Sequence, residues 1–163
     1  MIRLHPVPAS LPFWHPALVI ATWFGAGRLG PAAGSWGSLA ALPFAWVIHD
    51  AGGGWVLAAA ALALFAIGVW ASGRFVAASG DSDPSPVVVD EVVGQWLTLA
   101  VVPGTLETFA LGFLLFRVAD VVKPFPAGWA DREVKGGLGV MLDDLLAAAW
   151  SAAALWGLWR WAL

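Results

Sequence analysis

The chain has 163 residues, 60% of them apolar, with a mean hydropathy of +0.80 and only 12% charged. A soluble domain carries about 25% charged residues, so this chain lacks the charge to cover a water-exposed globule. Its apolar fraction excludes disorder, and a net charge of -3 without a basic cluster argues against nucleic-acid binding.

The length fits a single domain, residues 1–163. What remains is a compact protein integral to or embedded in a membrane, and the uncharged runs below give it about five to six helices. The absence of cysteine removes disulfides, thiolate metal sites and cysteinyl-phosphate chemistry. Twelve tryptophans without a tyrosine suit membrane–water interfaces and bundle packing. Met1 to Ser10 lacks the basic-then-apolar pattern of a cleavable signal peptide.

The predicted elements follow from uncharged runs. Leu11 to Phe24 reads as a first helix, with Pro12 and Pro16 in its opening turns. Trp36 to Ile48 reads as a short helix, and Gly52-Gly53-Gly54 as a loop. Ala51 to Gly73 is the strongest spanning candidate. Gly80 to Pro86 is a polar loop. Val92 to Val102 is apolar up to the Pro103-Gly104 turn, and Thr105 to Ala119 resumes as a helix. Leu145 to Trp159 closes the chain, with Arg160 able to snorkel to the interface.

Alternating crossings place Arg28, Arg74, Arg117, Lys123, Arg132 and Lys135 on one side, and Arg160 on the other. The excess of positive charge makes the first side cytoplasmic. Of the 11 acids, only Asp50 and Glu107 fall on the far side. Two adjacent pairs, Asp90-Glu91 and Asp143-Asp144, read as helix starts, where the dipole favours acids. Together with Asp120 and Lys123 they also read as one site.

Clustered carboxylates stay ionised together only with cations among them, and a hard oxygen-ligand site for Mg²⁺ satisfies that need. Lys123 and Arg117 would let a phosphate bridge metal and base. Ser35, within Gly34-Ser35-Trp36-Gly37-Ser38, is either an ordinary helix cap or part of an anion site at a helix start. His5, His15 and His49 sit in no phosphatase motif. Asp81-Ser82-Asp83 follows no apolar strand and reads as a polar loop.

Three blocks carry a resemblance: GAGRLGPAAGSWGSLAALP (Gly25 to Pro43), DPSPVVVDEVVGQW (Asp83 to Trp96) and FRVADVVKPFPAGWADREVKGGLGVMLDDLLAA (Phe116 to Ala148). In this order they resemble the phosphatidylglycerophosphatase A family, over roughly Phe24 to Ala148. In the first block Ala33 and Ser35 replace the family's proline and threonine.

The resemblance implies a Mg²⁺-dependent lipid phosphate phosphatase of the bacterial inner membrane. It would hydrolyse phosphatidylglycerophosphate at the cytoplasmic face, within an all-α bundle built around a central helix. It carries over Ser35, Asp90, Glu91, Asp120, Lys123, Asp131, Asp143 and Asp144. On these, Asp90, Glu91, Asp143 and Asp144 are expected to hold the metal. Asp120, Lys123 and Asp131 are the expected catalytic residues, and Ser35, Arg117 and Lys123 are expected to bind substrate. Two roles stay open: Asp131 pairing with Arg132 or Lys135, and Arg117 pairing with Asp120 three residues away. Water attack and a phosphoaspartyl intermediate are both compatible with the residues. Other readings are a phosphatidyl transferase, whose Asp-Gly signature is missing, a structural membrane subunit, and a small transporter or cation-path protein lined by carboxylates. The last needs charge near the membrane midplane.

Overall fold

The computed structural model describes residues 3–162. Among the described residues there are six α-helices, α1 (Pro16–Ala21), α2 (Ala33–Ser79), α3 (Val89–Leu99), α4 (Leu106–Val122), α5 (Ala127–Glu133) and α6 (Gly136–Ala162), and one 3-10 turn, Ala26–Arg28. Two short strands, β1 (Arg3–Leu4) and β2 (Leu29–Gly30), pair antiparallel beside them.

The first predicted helix shrinks to the six residues of α1. Pro16 takes its first position, where no backbone donor is needed, and His15 Nδ1 caps it by accepting from the Ala17 N–H.

The predicted break at Gly52-Gly53-Gly54 is where α2 divides into two helical arms: they meet at Gly53, whose φ of 72° is the left-handed region open to glycine. The contacts with α3 show that α2 doubles back there. Val88 meets Gly37, the Trp96 indole N–H donates to the Ala41 carbonyl at 3.0 Å, and His49 Nε2 donates to the Val102 carbonyl at 3.0 Å. The first arm, residues 33–52, therefore runs alongside α3 in the same direction. The second arm runs against it, with Ala100 beside Gly54 and Val89 beside Gly68. A methyl group at Gly54 would collide with the Ala100 carbonyl oxygen.

α3 is the centre. Val89, Val92, Val93, Trp96 and Leu99 are buried on all sides by α2, α4 and α6. Gly94 gives room to the Phe116 ring of α4, and Gly112 of α4 gives room to Leu99 and Leu155.

α6 begins nine residues before the predicted apolar run, because glycines here permit close packing instead of forming a loop. A Cβ at Gly137 would strike the Val69 carbonyl of α2, and one at Gly139 the Val134 carbonyl. α2 and α6 are long and apolar enough to cross a bilayer, with mean hydropathies of 2.1 and 1.5 over their most apolar stretches. Only 28% of that stretch of α2 is buried within the protein, so most of its apolar surface is left for lipid. Trp14 lies near the start of the bundle, while Trp55 and Trp161 lie at the opposite end, all more than 80% exposed, as interfacial anchors are.

Candidate active site

The end of the bundle where α2, α3 and α6 begin and α4 finishes encloses a cavity of about 320 Å³. Its lining includes Asp90, Glu91, Asp120, Lys123, Asp143 and Asp144, together with Gly34 and Ala33 at the start of α2.

Each element aims its residues differently. Asp90 and Glu91 occupy the first turn of α3, as the sequence predicts. Asp143 and Asp144 do not start a helix: they lie two turns inside α6, so the helix dipole does not account for them. Adjacent helical positions point about 100° apart, and this separates the pair. Asp144 turns to α3, where one oxygen from each of Asp90, Glu91 and Asp144 falls within 4.8 Å of the others. Asp143 turns to Lys123, whose Nζ donates to Asp143 Oδ2 at 2.7 Å.

Lys123 also donates to Asp131 Oδ1 at 2.5 Å, so Asp131 pairs with neither Arg132 nor Lys135. Lys135 donates instead to the Arg132 carbonyl. Burial disfavours the ammonium, but the bonds to Asp131 and Asp143 outweigh it and hold Lys123 above the ordinary lysine value of 10.5. Pro124 disfavours the helical conformation at Lys123, which ends α4 there at a φ of 48°. A left-handed non-glycine residue costs about 1–2 kcal/mol, offset here by two charged hydrogen bonds.

Arg117 pairs with Asp120 at 2.5 Å, and its Nη1 lies 3.8 Å from Glu91 Oε1 and 3.5 Å from Ser38 Oγ. It therefore faces the acids and does not line the cavity, which favours its structural role. Gly34 sits so close that a Cβ there would overlap Glu91 Oε1.

Ser35 is not brought to the cavity. It lies inside α2, which is capped by Ala32 without any side-chain bond. Asp131 lies behind Lys123, lining a smaller adjoining pocket. Two further residues, neither of them in a phosphatase motif, line the cavity. β1 pairs with β2 and carries His5 to the rim, its N–H donating to the Arg28 carbonyl at 2.8 Å. The 80–86 loop brings in Asp83. Gln95, one turn beyond Glu91, is fully buried with neither amide atom bonded. Its place inside the DEVVGQW block was the available signal.

The donor set fits a hard divalent cation. Asp90, Glu91 and Asp144 supply oxygens only, and Glu91 Oε2 and Asp144 Oδ2 are buried without any hydrogen-bond partner. The first amide N–H groups of α2, left unpaired by helix geometry, border the same cavity and suit an anion.

The family profile described as Phosphatidylglycerophosphatase A matches residues 19–159. Phosphatidylglycerophosphatase A of Escherichia coli is 37% identical over 145 residues, 88% of this chain and 81% of that protein. Phosphatidylglycerophosphatase A of Haemophilus influenzae is 32% identical over 150 residues, 91% of this chain and 92% of that protein. No solved structure matches the chain. The aligned stretch contains every residue of the acidic cavity except His5, and the chain belongs to the phosphatidylglycerophosphatase A family.

Proposed function

We propose that this protein is a Mg²⁺-dependent phosphatase that hydrolyses phosphatidylglycerophosphate to phosphatidylglycerol and phosphate. The observation that carries the reading is one cavity with three clustered carboxylates on one side, of which only Glu91 approaches a cation of the chain, and an ammonium on the other. A phosphate monoester bound with a divalent cation matches both halves.

Asp90, Glu91 and Asp144 would hold Mg²⁺, which when bound supplies charge neutralisation and polarises phosphate and water. Lys123 stabilises charge on the phosphoryl oxygens, and Asp143 and Asp131 fix its position. The α2 amides orient the same group. Gly34 keeps the α2 backbone close to Glu91. The reaction breaks the bond between phosphorus and the glycerol oxygen, and water supplies the oxygen of the released phosphate.

The cytoplasmic side of a bacterial inner membrane is the proposed setting. The basic residues Arg74, Arg117, Lys123, Arg132 and Lys135 share the cavity's end of the bundle, as the positive-inside rule requires. The transporter alternative has less support, because the carboxylates converge on a single pocket at one end.

The test is phosphate release from phosphatidylglycerophosphate by purified protein in mixed micelles. Release is expected with Mg²⁺ and lost on chelation. Full release in a chelator would remove the metal from the reading, and no release under any divalent cation would remove the substrate.

A further inference from the structure

We propose that the cleft between the first arm of α2 and α4 receives one acyl chain of the phospholipid whose headgroup occupies the acidic cavity. The inference rests on the phospholipid substrate proposed above.

The cleft has a volume of about 660 Å³ and an almost wholly apolar lining that includes Leu42, Trp46, Phe109, Ala110 and Phe113. Its position relative to the cavity is set by helix periodicity. Residues four apart share a helix face. On α2, Gly34, Ser38, Leu42 and Trp46 form one such row. Gly34 adjoins Glu91 and Arg117, Ser38 Oγ accepts from Arg117, and Leu42 and Trp46 line the cleft. On α4, Arg117, Phe113 and Phe109 form the facing row, with Asp120 one turn beyond.

A single seam between the two helices therefore begins at the carboxylates, passes the Arg117–Ser38 bridge and continues as hydrocarbon surface. It is floored by the Trp46–Phe109 edge contact, with ring centroids 5.0 Å apart. From Ser38 to Trp46 it descends about 12 Å at the helical rise of about 1.5 Å per residue. Polarity changes along this seam in the order of a phospholipid: phosphate, glycerol backbone, acyl chain.

The cleft also opens outward. Ala110 and Pro43 are exposed small side chains where bulkier ones would fill the space. A chain can therefore enter sideways from the bilayer while its headgroup enters the cavity. A second copy of this protein, or another membrane helix, would find the apolar cleft but no use for its registration with the acids.

The experiment compares phosphate release from dioleoyl phosphatidylglycerophosphate with release from its deacylated headgroup, for the unaltered chain and for Ala110→Trp. Filling the cleft is expected to lower the ratio of kcat/KM values, long-chain over deacylated, by about tenfold, the worth of roughly two methylenes withdrawn from apolar contact. A photoreactive acyl-chain analogue is expected to label peptides containing Leu42 or Phe113 in the unaltered chain, a readout that does not depend on the variant's folding. An unchanged ratio, or label confined to other helices, overturns the inference. So does a fall in oligomer size in Ala110→Trp without a change in the ratio, which would assign the cleft to a second copy. If the unaltered chain releases phosphate from neither substrate, the phosphatase reading fails and this inference falls with it.

Discussion

Two groups of acids meet at the cavity, with Asp131 just behind it, and they are compensated in opposite ways. Around Lys123, Asp143 and Asp131 each accept a hydrogen bond from one ammonium, and Asp120 is held by Arg117. Across the cavity, Asp90, Glu91 and Asp144 bring three carboxylate oxygens within 4.8 Å of one another, with only the 3.8 Å approach of Arg117 to Glu91 in partial compensation. Two like charges about 4 Å apart repel by about 4 kcal/mol at an effective dielectric of about 20. In the first group every acid has a cation of the chain within 2.7 Å. In the second only Glu91 approaches one, and this is the side where the proposed cation would sit.

The largest effect should come from breaking the second group. Asp144→Asn keeps the shape of the side chain and removes one of the three repelling charges. Phosphate release is expected to fall by about 10²–10³-fold or more, as when a preorganised charge-stabilising group is lost. Thermal stability without divalent ions should rise, because repulsion is relieved. The stabilisation by Mg²⁺, about 2.7 kcal/mol at 100 times the dissociation constant for a chain that binds it, should shrink. A melting series with and without Mg²⁺ reads both. A variant that loses activity while its melting temperature responds to Mg²⁺ like the unaltered chain would place the cation elsewhere.

Lys123→Ala acts on the first group and should have the opposite sign in stability. It leaves Asp143 and Asp131 facing each other without a cation. The lysine side chain is 29% exposed, so water screens part of the loss, and about 1–2 kcal/mol is expected instead of the 3–5 of a fully buried pair. Activity should drop about 10²-fold through the lost charge on the phosphate. A stabilised Lys123→Ala protein would contradict the contrast between the two groups.

The contrast was only half legible in the sequence. Asp90 and Glu91 were placed at a helix start because the apolar run after them is unbroken, and α3 begins at Val89. The apolar run from Leu145 likewise predicts a helix start at Asp143 and Asp144, but α6 begins earlier, at Gly136. Gly136, Gly137 and Gly139 punctuate the sequence like a loop, yet Gly137 and Gly139 serve to bring backbones together. Close helix packing and turns call for the same residue, and composition cannot separate them. The reversal at Gly53 was found, but as a loop and not as a single left-handed residue. Ser35 was singled out for its hydroxyl at a helix start, whereas the site uses the missing side chain of Gly34 beside it. His5 reached the cavity through a strand pairing of two residues, too short to leave a pattern.

The smallest effect, and the finest test of the contrast, lies within the first group. Asp143 and Asp131 bind the same ammonium, but their side chains are 10% and 37% exposed. Asp131→Asn is expected to cost only a few-fold in activity, since an exposed ion pair is worth roughly 0–1 kcal/mol. Asp143→Asn should cost more, because the buried member sets the lysine's direction. The alkaline limb of the pH–rate profile adds a sign. Lys123 is raised above its ordinary value, so its ion pairs contribute fully below about pH 10 and are lost as pH rises through the folded value. Removing one acceptor lowers that folded value, and the alkaline limb should move to lower pH in Asp131→Asn. A limb that stays in place would mean that Asp143 alone holds the charge, leaving Asp131 as a surface contact of the loop.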